Sequence, residues 1–179
     1  MCIIKLTNER AWRTYIGGKL IDEFHGKIPG NDSHFPEEWI MSLTECRNAG
    51  RECVKNEGMS RDVLTGRLLS DIIGEDAEKL LGTRHYEKFG ASTGVLIKLI
   101  DSAERLSIQV HPDKEKAKKY FGSAYGKTES WHILGRREGT KEKPCIYLGF
   151  KEGVDKKLWR EIFDSQDIEK MLSCLNRIE

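Results

Sequence analysis

Polar side chains with oxygen or nitrogen donors recur at alternate positions along two strand-like stretches. Side chains on a strand alternate between its faces, so Ser107, Gln109 and His111 share one face. On the later stretch, Lys127 and Glu129 also share a face. If the strands are neighbours, an amide oxygen, an imidazole nitrogen and a carboxylate converge, and these donors suit zinc or another borderline divalent ion. One position is left for a fourth ligand, and Lys127 adds positive charge for an anionic substrate.

The first stretch has a second interpretation. Leu106, Ile108 and Val110 form an apolar face, and an ordinary amphipathic strand carries polar residues on the face opposite its apolar one. A single histidine such as His111 is more often exposed or hydrogen-bonded than bound to a metal. Spacing alone leaves both interpretations open.

A predicted hairpin carries the first set of donors. The run Val95–Ile100 is apolar except for Lys98 and predicts a buried strand. After a polar turn, Leu106–His111 predicts a second strand that pairs with the first. Pro112 cannot donate to a sheet ladder and therefore ends this strand.

A helix and two further strands follow the hairpin. Asp113 is predicted to cap a helix over about Lys114–Phe121, whose lysines form a solvated face. Thr128–Leu134 and Pro144–Phe150 predict two more strands. The first of these carries Glu129, so it must lie beside the hairpin for the donors to meet.

The first part of the chain changes from strand-like to helical patterning. Arg10–Ile16 and Glu38–Cys46 predict short strands. Apolar residues at helical spacing within residues 60–81 predict two short helices, the second ended by Gly82. Thr83–Gly94 reads as a loop.

The C-terminal residues 151–179 are predicted to be helical. Apolar spacing over Asp155–Phe163 and Gln166–Ile178 predicts a helical hairpin. The order of elements favours a mainly β fold with helical insertions. We expect a β domain over residues 1–150, with its helical insertion near 60–82, and a helical hairpin over residues 151–179.

Composition excludes several classes of partner. The formal charge is +1, and a nucleic-acid partner normally requires a clustered basic surface. The five cysteines are scattered and form no Cys-x-x-Cys pair, which fits a reducing cytoplasm. No apolar run approaches the roughly 20 residues that span a membrane. We therefore expect a cytoplasmic protein with no nucleic-acid and no membrane partner.

The residues of the two donor-bearing stretches resemble the sequence motifs of one enzyme family. "LSIQVHPD" followed by "GKTESWHIL" closely resembles the type I phosphomannose isomerases, which are metal-dependent β-barrel enzymes of the cupin superfamily. The resemblance extends to "LIKLIDSAERLS" and, more loosely, to "YIGGKLI" and "EEWIMSL". It implies a cupin-like β-barrel of the jelly-roll type, a zinc ion, and interconversion of mannose 6-phosphate and fructose 6-phosphate.

The resemblance also assigns residues. It implies that Gln109, His111 and Glu129 bind zinc. Ser107, Lys98 and Lys127 match positions that line the sugar-phosphate pocket. Moving a carbonyl between C1 and C2 requires proton removal and charge stabilisation on oxygen, which a divalent ion and lysines supply. The general base stays open between Lys98, Lys127 and a water activated by the ion.

Two family features are absent from the sequence. The family's fourth zinc ligand is a histidine on a later strand, and a catalytic arginine lies beyond it; neither region is present in these 179 residues. We therefore expect a cupin-like barrel truncated at its C-terminal side. Three explanations stay open: a piece of a longer enzyme, a short form completed by a second chain, and a noncatalytic module that binds a sugar phosphate or a partner protein. His85 could reach the site as a replacement ligand, whereas His132 points away from Glu129 on a regular strand.

Overall fold

The computed structural model describes residues 3–139 and 143–179. The chain forms two compact units, Met1–Gly126 and Lys127–Glu179, and each is described by itself. The predicted boundary between a β domain (residues 1–150) and a helical hairpin (residues 151–179) stays a prediction. Within the described residues, every helix is too short or too polar to cross a lipid bilayer.

A three-stranded antiparallel sheet organises the first unit. Its strands β1 (Glu9–Ala11), β2 (Glu37–Ile40) and β3 (Ile97–Ile100) lie in the order β1-β2-β3. Trp39 pairs with Lys98 across β2 and β3, and residues two apart on a strand share a face. Glu37, Trp39 and Lys98 therefore lie on the same face of the sheet.

The helices of the first unit lie between and after these strands. α1 (Lys19–Phe24) follows β1, and the insertion between β2 and β3 contains α2 (Leu69–Glu75), α3 (Ala77–Leu81) and α4 (Thr83–Phe89). The prediction of two short helices ended by Gly82 is confirmed for α2 and α3. α4 replaces the predicted loop, and it was missed because none of its residues is buried, so it has no apolar periodicity to detect.

Two small cores hold this unit together. One consists of Ala11, Trp39 and Cys46 at the sheet, with Leu96 packed against it. The other is built on α2 and α3. Its buried members are Leu69, Ile73 and Ala77, and Ile4, Leu6, Leu43 and Leu81 pack against them.

The helix after the predicted hairpin forms as expected. α5 spans Lys114–Phe121, and the Asp113 carboxylate accepts a hydrogen bond from the Lys116 backbone N–H at 2.8 Å. Gly122 ends the helix in the left-handed conformation with φ 64°. The lysines of this helix are exposed and Ala117 is buried, so the prediction of a solvated basic face is confirmed.

The second unit combines a two-stranded sheet with two helices. β4 (Ile146–Phe150) pairs antiparallel with β5 (Leu175–Ile178), and α6 (Lys156–Ser165) and α7 (Ile168–Ser173) lie between them in the chain. The predicted helical hairpin is confirmed, but its extension to Ile178 was wrong. The last residues form a strand because they pair with β4, which is distant in sequence. Local periodicity cannot reveal such a pairing.

The predicted strands Leu106–His111 and Thr128–Leu134 were wrong for this structure, because both segments lie outside every helix and strand. A strand needs a neighbour to take its backbone N–H and C=O groups. β3 is an edge strand in the described part of the chain, so the hairpin partner expected beside it is missing there. The result is two small antiparallel sheets with helices, and residues 3–139 and 143–179 contain no closed barrel.

Candidate active site

The predicted metal ligands are divided between the two units. Gln109 and His111 belong to the first unit, where Gln109 is exposed and His111 is half-buried. Glu129 belongs to the second unit. The convergence of these three side chains stays a prediction.

Glu129 lies in a small polar group of its own segment. Its Oε1 accepts a hydrogen bond from Trp131 Nε1 at 3.0 Å, and Lys127 Nζ lies 3.7 Å from its Oε2. These two contacts bring the three side chains together, although the segment is not a strand. Lys127 therefore sits beside the proposed carboxylate ligand, and its positive charge is adjacent to that carboxylate.

The donor types fit a divalent ion. An amide oxygen, an imidazole nitrogen and a carboxylate oxygen are ligands that zinc accepts. Across residues 3–139 and 143–179, no group of three or more His, Cys, Asp or Glu side chains is placed to hold a metal ion. The predicted set differs from such a group, because it contains one histidine, one carboxylate and the amide of Gln109.

Lys98 has a defined position on β3. Its Nζ lies 3.2 Å from Glu37 Oε2 and 4.8 Å from the centroid of the Trp39 ring. The side chain is 20% exposed. The lysine predicted to line the sugar-phosphate pocket is thus held on a face of the sheet that also carries a buried carboxylate.

That carboxylate, Glu37, is 5% exposed and accepts hydrogen bonds from several side chains. Arg13 binds it through two nitrogens, with Nε 2.7 Å from Oε1 and Nη2 3.0 Å from Oε2. Tyr15 Oη donates to Oε1 at 2.7 Å, and Trp39 Nε1 donates to Oε2 at 2.8 Å. We call Arg13, Tyr15, Glu37, Trp39 and Lys98 the Glu37 cluster.

The Glu37 cluster shifts the ionisation of its members. Burial alone would raise the pKa of Glu37, but the hydrogen bonds from Arg13, Trp39 and Tyr15 and the charge of Lys98 outweigh it and lower the pKa to about 2. Burial and the bond to Glu37 raise the pKa of Tyr15 far above its ordinary value. At neutral pH the carboxylate is therefore ionised and the tyrosine hydroxyl remains a donor.

The comparisons with known proteins decide the family. The family model described as phosphomannose isomerase type I, catalytic domain, matches residues 2–130. The chain belongs to this family. The matched region contains all six predicted site residues and the whole Glu37 cluster.

Individual type I phosphomannose isomerases support the match. The chain is 33% identical to the probable mannose-6-phosphate isomerase GmuF of Bacillus subtilis (strain 168), over 84% of this chain and 44% of that protein. It is 32% identical to the mannose-6-phosphate isomerase of Streptococcus mutans serotype c, over 88% of this chain and 43% of that protein. A third relative, mannose-6-phosphate isomerase ManA of Bacillus subtilis, is 31% identical over 78% of this chain and 37% of that protein. The chain spans less than half the length of these curated relatives, and no solved structure gives a significant match.

Sequence reasoning did not single out Glu37. The sequence feature that could have indicated it is the pair of consecutive acidic residues, Glu37 and Glu38, at the start of a predicted strand. Because neighbours on a strand face opposite sides, both carboxylates can be buried only if each face supplies basic partners. Arg13 and Tyr15 were missed because they are brought to Glu37 by the fold rather than by spacing.

The opposite face of the sheet carries the second carboxylate. Glu38 is 3% exposed, and its Oε2 lies 2.8 Å from His25 Nε2 and 3.8 Å from Arg10 Nε. Glu38, Phe24 and Leu99 are among the residues that line a pocket on this face. Glu38 therefore belongs to a separate polar group and does not contact Lys98.

The replacement ligand His85 is occupied within its own segment. Its Nε2 lies 2.7 Å from the Ser92 carbonyl oxygen, and its ring packs against Phe89 with centroids 4.8 Å apart. These contacts give His85 a role in closing α4 onto the following loop. His132 is exposed in the second unit.

Proposed function

We propose that this chain forms part of a zinc-dependent mannose-6-phosphate isomerase, which interconverts mannose 6-phosphate and fructose 6-phosphate. The observation that carries the proposal is the family match over residues 2–130, which spans both the Gln-Val-His-Pro and the Lys-Thr-Glu motifs. The substrate is inferred from the relatives, which are mannose-6-phosphate isomerases by name.

The proposed metal ligands are Gln109, His111 and Glu129. Their amide oxygen, imidazole nitrogen and carboxylate oxygen suit zinc, which would act as a Lewis acid toward the sugar oxygens. The fourth ligand and the strands that would close the barrel come from residues outside these 179, in the same polypeptide or in a second chain. The shorter span of this chain relative to its relatives supports that part of the proposal.

The remaining residues act on charge and position. Isomerisation removes a proton from C2 of the aldose and delivers one to C1, while the carbonyl moves from C1 to C2 through an enediol. Negative charge develops on oxygen during this step, and positive side chains stabilise it. We assign this role, together with binding of the phosphate, to Lys98 and Lys127, and we assign Ser107 to the wall of the pocket.

Zinc affinity tests the ligand assignment. The purified 179-residue chain is stripped with a chelator and titrated with zinc against a competing chelator. We expect about one zinc per chain, and we expect Glu129→Gln to weaken zinc binding at least about tenfold, because a neutral amide is a poorer ligand than a carboxylate. Glu152→Gln, at an exposed turn of the same unit, is the matched control.

One result would contradict this assignment. Equal zinc affinity in the wild type and Glu129→Gln would remove Glu129 from the site. A wild-type 179-residue chain that binds no zinc would agree with a site that needs its fourth ligand from other residues, and the two affinities would then be compared in the complete protein. Mannose 6-phosphate binding without conversion, in the complete protein, would favour the noncatalytic module instead.

A further inference from the structure

We propose that Glu37 is a positioning residue that fixes the Lys98 ammonium on the sheet face where the substrate is bound. This inference rests on the proposed function, because Lys98 is the group through which Glu37 would act. It is carried by the direct contact of the two side chains, with Lys98 Nζ 3.2 Å from Glu37 Oε2.

The carboxylate of Glu37 is itself held in place. Arg13 binds both oxygens, Tyr15 donates to one and Trp39 to the other. A bidentate arginine fixes the plane of a carboxylate as well as its position. Glu37 therefore presents an oxygen to Lys98 from a fixed location.

Lys98 is also constrained from a second side. Its ammonium lies 4.8 Å from the centroid of Trp39, a distance at which a cation is attracted to the ring face. Trp39 is 5% exposed, and a Cβ at Gly58 would lie only 2.9 Å from its Cε3 atom. The ring is packed against the Gly58 backbone, which restricts its movement, and Lys98 lies over its face.

The charges of the cluster favour an anion. Arg13 and Lys98 carry two formal positive charges and Glu37 carries one negative charge, so Arg13 alone would balance the carboxylate. Lys98 adds a positive charge that the cluster does not need for neutrality. An ammonium has three N–H donors, and Glu37 is the acceptor that the described residues offer to Lys98 Nζ. The other donors are available to an anionic oxygen of the substrate.

Two readouts test the proposal. In the first, the lysines of the complete protein are ¹³C-methylated and observed by NMR. The Lys98 resonance is assigned by its absence in Lys98→Arg. We expect a distinct Lys98 signal in the wild type that moves to the position of exposed lysines in Glu37→Gln. Glu38→Gln, at the next position on β2, is the matched control, because Glu38 is equally buried but serves the opposite face.

The second readout is isomerase kinetics with mannose 6-phosphate. We expect Glu37→Gln to lower kcat about tenfold with less than about a twofold change in KM, because charge stabilisation grows in the transition state. Glu37→Asp, which keeps the charge, should recover part of kcat. Where Glu37→Gln fails to fold, Tyr15→Phe removes one donor to the carboxylate and should give a smaller change in the same direction.

Each other outcome is decisive. An unchanged Lys98 signal in folded Glu37→Gln overturns the proposal. A released Lys98 with normal kcat shows that Glu37 fixes the lysine without serving the reaction, which also overturns it. An inactive wild type overturns the proposed function and the reaction role together, while the Lys98 signal shows separately whether Glu37 holds the lysine.

Discussion

Glu37 and Glu38 are neighbours on β2, yet their carboxylates serve opposite faces of the sheet. Glu37 binds Arg13, Tyr15, Trp39 and Lys98, whereas Glu38 contacts His25 and lies near Arg10. Burying a carboxylate is costly unless charged and hydrogen-bonding partners compensate it. The compensation at Glu37 is strong enough to lower its pKa to about 2.

Acid should remove the stabilisation that Glu37 provides. An unfolded carboxyl takes up its proton near the ordinary value of 4.5, whereas the folded one does so at about 2. The contribution of Glu37 is therefore complete above pH 4.5 and is lost as the pH falls toward 2, and it is worth on the order of 3 kcal/mol. We expect the difference in unfolding free energy between the wild type and Glu37→Gln to shrink over this interval.

Urea unfolding at a series of pH values measures this difference. Glu87→Gln, on the exposed surface of α4, is the control for removing one carboxylate from the same unit. A wild-type advantage over Glu37→Gln that stays constant from neutral pH down to about 2 would contradict the account of the Glu37 cluster.

Elements with local signals were predictable from the sequence. α5 has an aspartate cap and a glycine stop, and α2 and α3 have apolar spacing with a glycine at the end. The segments 106–111 and 128–134 have strand-like alternation, but alternation does not supply the neighbouring strand that a ladder requires. The same limit applies to the site. The predicted ligands came from the resemblance of two sequence motifs to a known family. Arg13 and Tyr15 had no such motif, because only long-range packing brings them to Glu37.

Two glycines in the first unit should respond to alanine in opposite directions. Gly74 lies in α2 with ordinary φ and open space around it, so Gly74→Ala should stabilise the protein by about 0.5 kcal/mol through helix propensity. Gly122 ends α5 at φ 64° with equally open space, so Gly122→Ala should destabilise it by about 1 kcal/mol. Thermal unfolding of both variants checks the signs. Shifts in the same direction would contradict the assigned helix ends.

At the scale of the whole molecule, the chain is a family member that spans less than half of its relatives. The predicted ligands Gln109 and His111 lie in one compact unit, and Glu129 lies in the other. Several apolar side chains near these residues are exposed, including Val110 at 93% and Ile133 at 63%. Large exposed apolar side chains often mark surfaces that another segment covers, which agrees with our proposal that further strands complete the barrel.

The most direct test of the account is the conversion of mannose 6-phosphate to fructose 6-phosphate by the complete protein, measured before and after chelator treatment. We predict conversion that the chelator abolishes, that zinc restores, and that His111→Ala lowers at least about a hundredfold because a metal ligand is lost. Absence of conversion with zinc present, or conversion that His111→Ala leaves intact, would contradict the proposed isomerase site.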